Sequence, residues 1–210
     1  MNDDLQGFIE NNTNSKELVN SFLKKHKIFS IPNRDEQMMV ISKVVGEIPW
    51  GMGRTVNEVL VSKGVGTCTG KHRVLQQCFD ILNIPYQPVV CTFKWGEQGI
   101  EYPKNLQKIL NEGEEWDHGH NFVRAKNLGG RWIDIDVNWD SHMKQFGFII
   151  ANDWDGKSNL VAVKNIIERW DGVDIGEMKV QLIKSLSSKQ RERRKKFLNG
   201  FIDWISSTRV

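Results

Sequence analysis

One cysteine in this chain sits where a thiol can be made reactive. Cys68 lies in GVGTCTGKH, residues 64 to 72, a glycine-rich turn that leads into a segment with apolar residues at helical spacing. A thiol attacks carbon only as the thiolate, and a free cysteine is mostly protonated at neutral pH. Two devices change that: the partial positive charge at a helix N-terminus, and an imidazole that takes the proton. A carboxylate behind the imidazole then fixes its tautomer. His120 and Asp136 supply these two groups, so Cys68, His120 and Asp136 form a candidate triad of nucleophile, base and orienter.

Strand parity links the histidine to the aspartate. HNFVRAK and RWIDIDVNW both alternate in polarity and are separated by a turn containing Gly129 and Gly130, which predicts a hairpin. Trp132, Asp134 and Asp136 then share one face, and Ile133, Ile135 and Val137 the other. Val123 and Ala125 must join the isoleucines, which puts His120, Phe122 and Arg124 with the aspartates. One allowed register sets His120 opposite Asp136, Phe122 opposite Asp134 and Arg124 opposite Trp132, with a three-residue loop Asn127-Leu128-Gly129 and Gly129 left-handed. His118 is an alternative base, less natural in the alternation if the strand begins at residue 120.

Other chemistries fit the same residues less well. A phosphate-binding loop needs a glycine where Val65 stands and a Ser or Thr where His72 stands. Cys68, His72, His118 and His120 are all metal-ligand types, but no paired C-x-x-C or H-E-x-x-H spacing accompanies them. A metal-dependent hydrolase using Cys68, His118 and His120 is therefore the weaker alternative. The loop ANDWDGKSN puts Ala151 and Ala162 at the end positions of a calcium loop when Gly156 is aligned, and reads as a turn. Cys78 and Cys91 read as small buried hydrophobes, Asp134 as a solvent-facing carboxylate and His72 as a helix-surface residue. Eight tryptophans either line a groove or, as is commoner, fill a core.

The elements that must position these groups are helical first and stranded later. Asn14 with Glu17, Asn33 with Glu36, and Thr55 with Glu58 each open a predicted helix, the last ending at Gly64. Val74, Leu75, Cys78, Phe79 and Leu82 carry a helix from about Cys68 to Pro85, and YQPVVCTF reads as a strand. Residues 96 to 117 read as an insertion loop or lid with one helical turn around Leu106 to Leu110. Ser187 with Gln190 opens a basic amphipathic helix carrying Phe197, Leu198, Phe201, Ile202 and Ile205, whose charges read as a solvated face.

At 210 residues and 39% hydrophobic, the chain is long enough for a single domain with one good-sized core. A formal charge of +3 is too small for a nucleic-acid footprint. The start MNDDLQGFIENN lacks the basic and apolar regions of a leader, and no stretch approaches the roughly 18 apolar residues of a span. Three widely spaced cysteines give no disulfide framework. These features predict a protein of the reducing cytoplasm with no membrane partner. They leave the oligomeric state open.

GVGTCTGKH, LNIPYQPVVC, HNFVRA and GGRWIDIDVNWD together resemble, in order and spacing, the core of the transglutaminase-like superfamily of papain-fold cysteine enzymes. The match covers about residues 46 to 140, with 1 to 45 a helical extension and 145 to 210 a C-terminal extension ending in the basic helix. It departs from the family pattern at Asn121-Phe122, where a tryptophan is more usual at the second place. The resemblance implies an α+β fold with the nucleophile helix packed on an antiparallel sheet. It also implies acyl transfer at peptide, glutamine or glycosyl-amide bonds without a cofactor: Cys68 attacks, His120 shuttles the proton, Asp136 orients His120, and backbone N–H groups near Cys68 form part of the oxyanion hole. Partners are then protein, peptide or other amide-bearing substrates. A non-catalytic binding module on the same fold is the alternative.

Overall fold

The spaced apolar residues of the first half do form helices, and their capping side chains mark most of the starts. The computed structural model describes residues 12–209; the reading of the chain's start as lacking a leader falls on residues 1 to 11, outside the described residues. Helix α1 spans Asn12–Lys25, so Asn14 lies within it rather than capping it, and Val19 and Leu23 are fully buried. Helix α2, Arg34–Gly46, is capped as expected, with the Asn33 side chain accepting from the Glu36 N–H at 3.1 Å. The Thr55/Glu58 signal also operates: Glu58 Oε2 accepts from the Arg54 and Thr55 N–H groups, and the Glu58 N–H donates to Thr55 Oγ1. The short helix it opens, Glu58–Ser62, is widened, with the Lys63 N–H reaching back to the Glu58 carbonyl. Helix α3 spans Cys68–Ile81.

Strands β1 (Tyr86–Phe93), β2 (His118–Lys126), β3 (Trp132–Ile135) and β4 (Arg169–Asp171) form one antiparallel sheet in the order β3-β2-β1-β4. The fold is therefore α+β, as the sequence predicts. The hairpin keeps the expected parity but not the expected register: Arg124 lies opposite Asp134 and Lys126 opposite Trp132, a shift of two residues. A longer turn is the cause. Asn127 Oδ1 accepts from the Arg131 N–H at 2.8 Å, the Leu128 N–H donates to Asp35 at the start of α2, and Gly130 rather than Gly129 takes the left-handed conformation, at φ 78°. The strand also starts at His118, two residues earlier than expected, so His118 and His120 share a face.

Each face of the sheet carries its own apolar layer. Val123, Ala125, Ile133 and Ile135 pack against α1, α2 and α3, with Val74, Leu75, Cys78 and Phe79 from the last. Val89, Cys91, Phe93 and Phe122 look the other way, into a layer built with α4 (Lys104–Asn111) and α6 (Ser188–Ser207). Segment 96 to 117 is thus no lid: Ile100, Tyr102, Leu106, Leu110 and Trp116 are buried in this second layer. Ser187 and Gln190 form the expected capping box of α6, and Phe197, Phe201 and Ile205 are its buried stripe. Its basic run is not wholly solvated, since Arg193 donates to the Ile109 and Leu110 carbonyls that end α4. Trp95, Trp116, Trp139 and Trp154 are core residues. Between β4 and α6 lies α5, Ile175–Ser185, with no buried residue of its own; neither it nor β4 was expected. Among the described residues no helix is long and apolar enough to cross a membrane.

Candidate active site

Cys68 occupies the first position of α3, and Thr67 caps it by accepting from the Gly70 N–H. A cap of this kind contributes about 1 kcal/mol and leaves the first N–H groups of the helix pointing past the thiol. The turn is pressed against residues 50 to 54: the Thr67 N–H donates to the Gly53 carbonyl at 2.8 Å. A methyl group at position 70 would lie 2.3 Å from that same oxygen, so glycine is required there by close approach. The residues that imitate a phosphate loop are packing devices.

Lys71 and His72 show what GKH does instead. Lys71 is fully buried and its Nζ donates to the carbonyls of Gly46 (2.7 Å), Ile48 (2.9 Å) and Asn138 (2.9 Å), joining the end of α2 to the chain that leaves β3. Burial pushes its pKa down to about 7, opposed by Asp140, Glu47 and Asp136. His72, expected on the surface, is completely buried. Its Nδ1 donates to the Cys68 carbonyl at 2.7 Å and its Nε2 accepts from the Val137 N–H at 3.0 Å. That pair of contacts defines a neutral ring with the proton on Nδ1, and burial lowers its pKa to about 4. Lys71 and His72 therefore fix the segment that carries Asp136 against the nucleophile helix.

His120 and Asp136 meet as the parity argument requires, though not as directly opposed residues. His120 Nε2 lies 2.7 Å from Asp136 Oδ2, and both side chains are buried. In the observed register, continued past Ile135, Asp136 falls across from Phe122, so the contact is a diagonal one. Asp136 also accepts from the Ala162 N–H (3.0 Å) and the Asn138 N–H (3.2 Å). Burial opposes its charge, but His120, His72 and these bonds hold its carboxyl below the usual range. Burial likewise opposes the charge on His120, yet Asp136 and the hydrogen bond to Cys68 raise its pKa to about 9.

Cys68 is partly exposed, whereas Cys78 and Cys91 are fully buried and their thiols are pushed well up. Burial raises Cys68 too, but the charge of Lys179 and the hydrogen bond and charge of His120 more than reverse this and bring it down to about 5. These two directions together favour a thiolate beside an imidazolium. Lys179, on α5, places Nζ 3.2 Å from Cys68 Sγ, 2.9 Å from Thr69 Oγ1 and 2.5 Å from Asn121 Oδ1. Asn121 is buried and also accepts from Thr69 Oγ1 at 3.0 Å.

The remaining expected candidates lie apart. His118 is buried against Phe93 and Trp95, its Nδ1 has no hydrogen-bond partner among the described residues, and burial keeps its pKa well below the ordinary value. Among the described residues no group of three or more His, Cys, Asp or Glu side chains is placed to hold a metal ion, so Cys68, His118 and His120 do not make a ligand set. Asp134 is not solvent-facing: it is 5% exposed and takes a two-point ion pair from Arg169 at 2.6 and 2.9 Å. Asp155 accepts from the Lys157 and Ser158 N–H groups, which makes the calcium-like segment a turn. Sequence reasoning missed Lys179, Asn121 and Thr69. The 3- and 4-residue spacing of Ile175, Met178 and Leu182 after Asp174 was the available signal for the helix that carries Lys179.

No protein-family model matches the chain, and no curated protein matches it.

Proposed function

We propose that this protein is a cysteine-dependent acyl-transfer enzyme of the transglutaminase-like, papain-fold type, acting on amide bonds of a protein, peptide or other amide-bearing substrate. The observation that carries this reading is the connected set of Cys68 at a helix N-terminus, His120 near enough to its sulfur to lower the thiol's pKa, and buried Asp136 bonded to His120 at 2.7 Å. The Cys68 thiolate adds to the substrate carbonyl carbon. The resulting oxyanion faces the first N–H groups of α3, which have no intrahelical acceptor. His120 gives its proton to the departing nitrogen, the C–N bond breaks, and a thioester on Cys68 remains. Water or a second amine, deprotonated by His120, then resolves it. Asp136 keeps Nε2 of the imidazole engaged so that the other ring nitrogen faces the sulfur. Every proton and acyl movement uses side chains of the chain itself, so the reaction calls for no cofactor.

Alkylation of Cys68 by iodoacetamide, followed by mass spectrometry as a function of pH, tests this. The expected result is selective modification of Cys68 with a midpoint near 5, raised in His120→Ala, and an acetyl thioester on Cys68 after mixing with p-nitrophenyl acetate. A midpoint near the free-thiol value of about 8.5 in both proteins would remove the physical basis of the reading.

A further inference from the structure

The Cys68 sulfur is also met by a residue from outside the triad. Lys179 is half-buried on a helix with no buried side chain, yet its ammonium is directed at three acceptors, and of these only the Cys68 sulfur can carry charge. The approach is close: a methyl group at Gly119 would lie 3.0 Å from Leu182 Cδ1, so glycine on β2 lets α5 settle beside the thiol. The charged and titratable groups around the sulfur are then Lys179 from α5, His120 from β2 with Asp136 behind it, and Cys91 from β1, whose thiol burial keeps protonated.

Building on the acyl-transfer reading, we infer that Lys179 is a further catalytic residue, pairing with the Cys68 thiolate at rest and donating to the substrate carbonyl oxygen as it becomes the oxyanion. The chemistry of addition makes one cation suitable for both. When sulfur bonds to the carbonyl carbon, the carbonyl π pair moves to oxygen, so the negative charge leaves sulfur and reappears two bonds away. A flexible lysyl side chain follows it with a small swing. The ammonium keeps its protons throughout, and the proton lost to the leaving nitrogen comes from His120. When the C–N bond breaks, the oxygen pair re-forms the carbonyl and the ammonium is released. Thr69 Oγ1 and Asn121 Oδ1 hold Lys179 in reach meanwhile.

The test compares wild type, Lys179→Met, Lys179→Arg and His120→Ala in two assays: the pH profile of Cys68 alkylation by iodoacetamide, and acylation by p-nitrophenyl acetate. The Met variant should raise the alkylation midpoint; a move from about 5 to about 7 lowers the rate at pH 6 about tenfold. Its acylation kcat should fall by roughly 10²-fold with KM little changed, as for loss of one oxyanion donor. The Arg variant keeps the charge and should restore the midpoint, which separates charge from helix packing. An unmoved midpoint in Lys179→Met while the acyl-enzyme still forms overturns this inference and spares the acyl-transfer reading. A faster plateau rate with no shift in midpoint also overturns it, since α5 would then be a cover. A midpoint that follows Lys179 with no acyl-enzyme in wild type overturns the acyl-transfer reading, and the oxyanion role with it.

Discussion

Asp136 stands between two histidines that it treats differently. Toward the thiol, His120 meets one carboxylate oxygen at 2.7 Å and is held protonated, with its pKa raised to about 9. Toward the helix interior, His72 lies 3.5 Å from the other oxygen and is kept neutral, its pKa lowered by burial to about 4. Proximity to a carboxylate does not decide the charge of a buried imidazole; the partners of its two ring nitrogens do. His120 has the Cys68 sulfur to face, whereas His72 spends its Nε2 lone pair on the Val137 N–H and its Nδ1 proton on the Cys68 carbonyl. One side of Asp136 faces the Cys68 thiol and the other anchors α3 to the chain beyond β3.

Removing Asp136 should damage both sides at once. In Asp136→Ala, His120 loses the carboxylate that holds it protonated and the Ala162 N–H loses its acceptor, so urea unfolding should show a loss of about 3 to 5 kcal/mol together with a raised Cys68 midpoint. Replacing His120 alone should separate the sides. His120→Ala is expected to lower acylation of Cys68 by roughly 10²- to 10⁴-fold, read by intact mass over time, while the Ala162 and Asn138 N–H groups still hold the Asp136 carboxylate.

The wild-type pH profile sharpens the same point. In the proposed reaction the rate needs the thiolate and the imidazolium together, so kcat/KM should rise as pH passes about 5 and fall as it passes about 9, with both limbs belonging to the pair rather than to either residue.

Breaking the anchored side should do the reverse. His72→Ala leaves the Val137 N–H buried without an acceptor and is expected to cost about 1 to 3 kcal/mol, with the alkylation midpoint nearly unchanged. Its stability should also lose a pH dependence. The unfolded ring takes up a proton near pH 6.5 while the folded ring resists until about 4, so wild-type stability falls on acidification through that interval; the fall is at most about 1.4 kcal/mol per pH unit. A His72 variant that instead moved the Cys68 midpoint as far as His120→Ala does would collapse the distinction between the two sides.

The reactive side was the more legible in the sequence. Thiol, imidazole and carboxylate are chemically distinctive, and period-two parity alone puts His120 and Asp136 on one face whichever even register the hairpin takes. The register itself was not legible, because the five-residue turn is held by Asp35 of α2, a contact made only in the folded chain. His72 was misread for a related reason. A histidine in the first turns of a helix reads as a surface residue until the elements facing it are known, and its Nε2 partner comes from Val137 beyond β3. Lys179 is the extreme case: nothing about a lysine on an amphipathic segment signals that its nitrogen ends beside a sulfur 111 residues earlier in the chain.

The second apolar layer gives the molecule a built-in optical reporter. Trp95, Trp116 and Trp139 are buried around Phe197 and Phe201 of α6, while among the described residues the layer against α3 holds only Trp154 as a buried tryptophan. Intrinsic fluorescence during denaturation therefore follows chiefly the undocking of α6. Circular dichroism at 222 nm follows all the helices, and Cys68 labelling follows the opposite face of the sheet. If the three curves coincide, the sheet binds both layers into one cooperative unit; if emission shifts first, α6 leaves while the nucleophile helix is still in place.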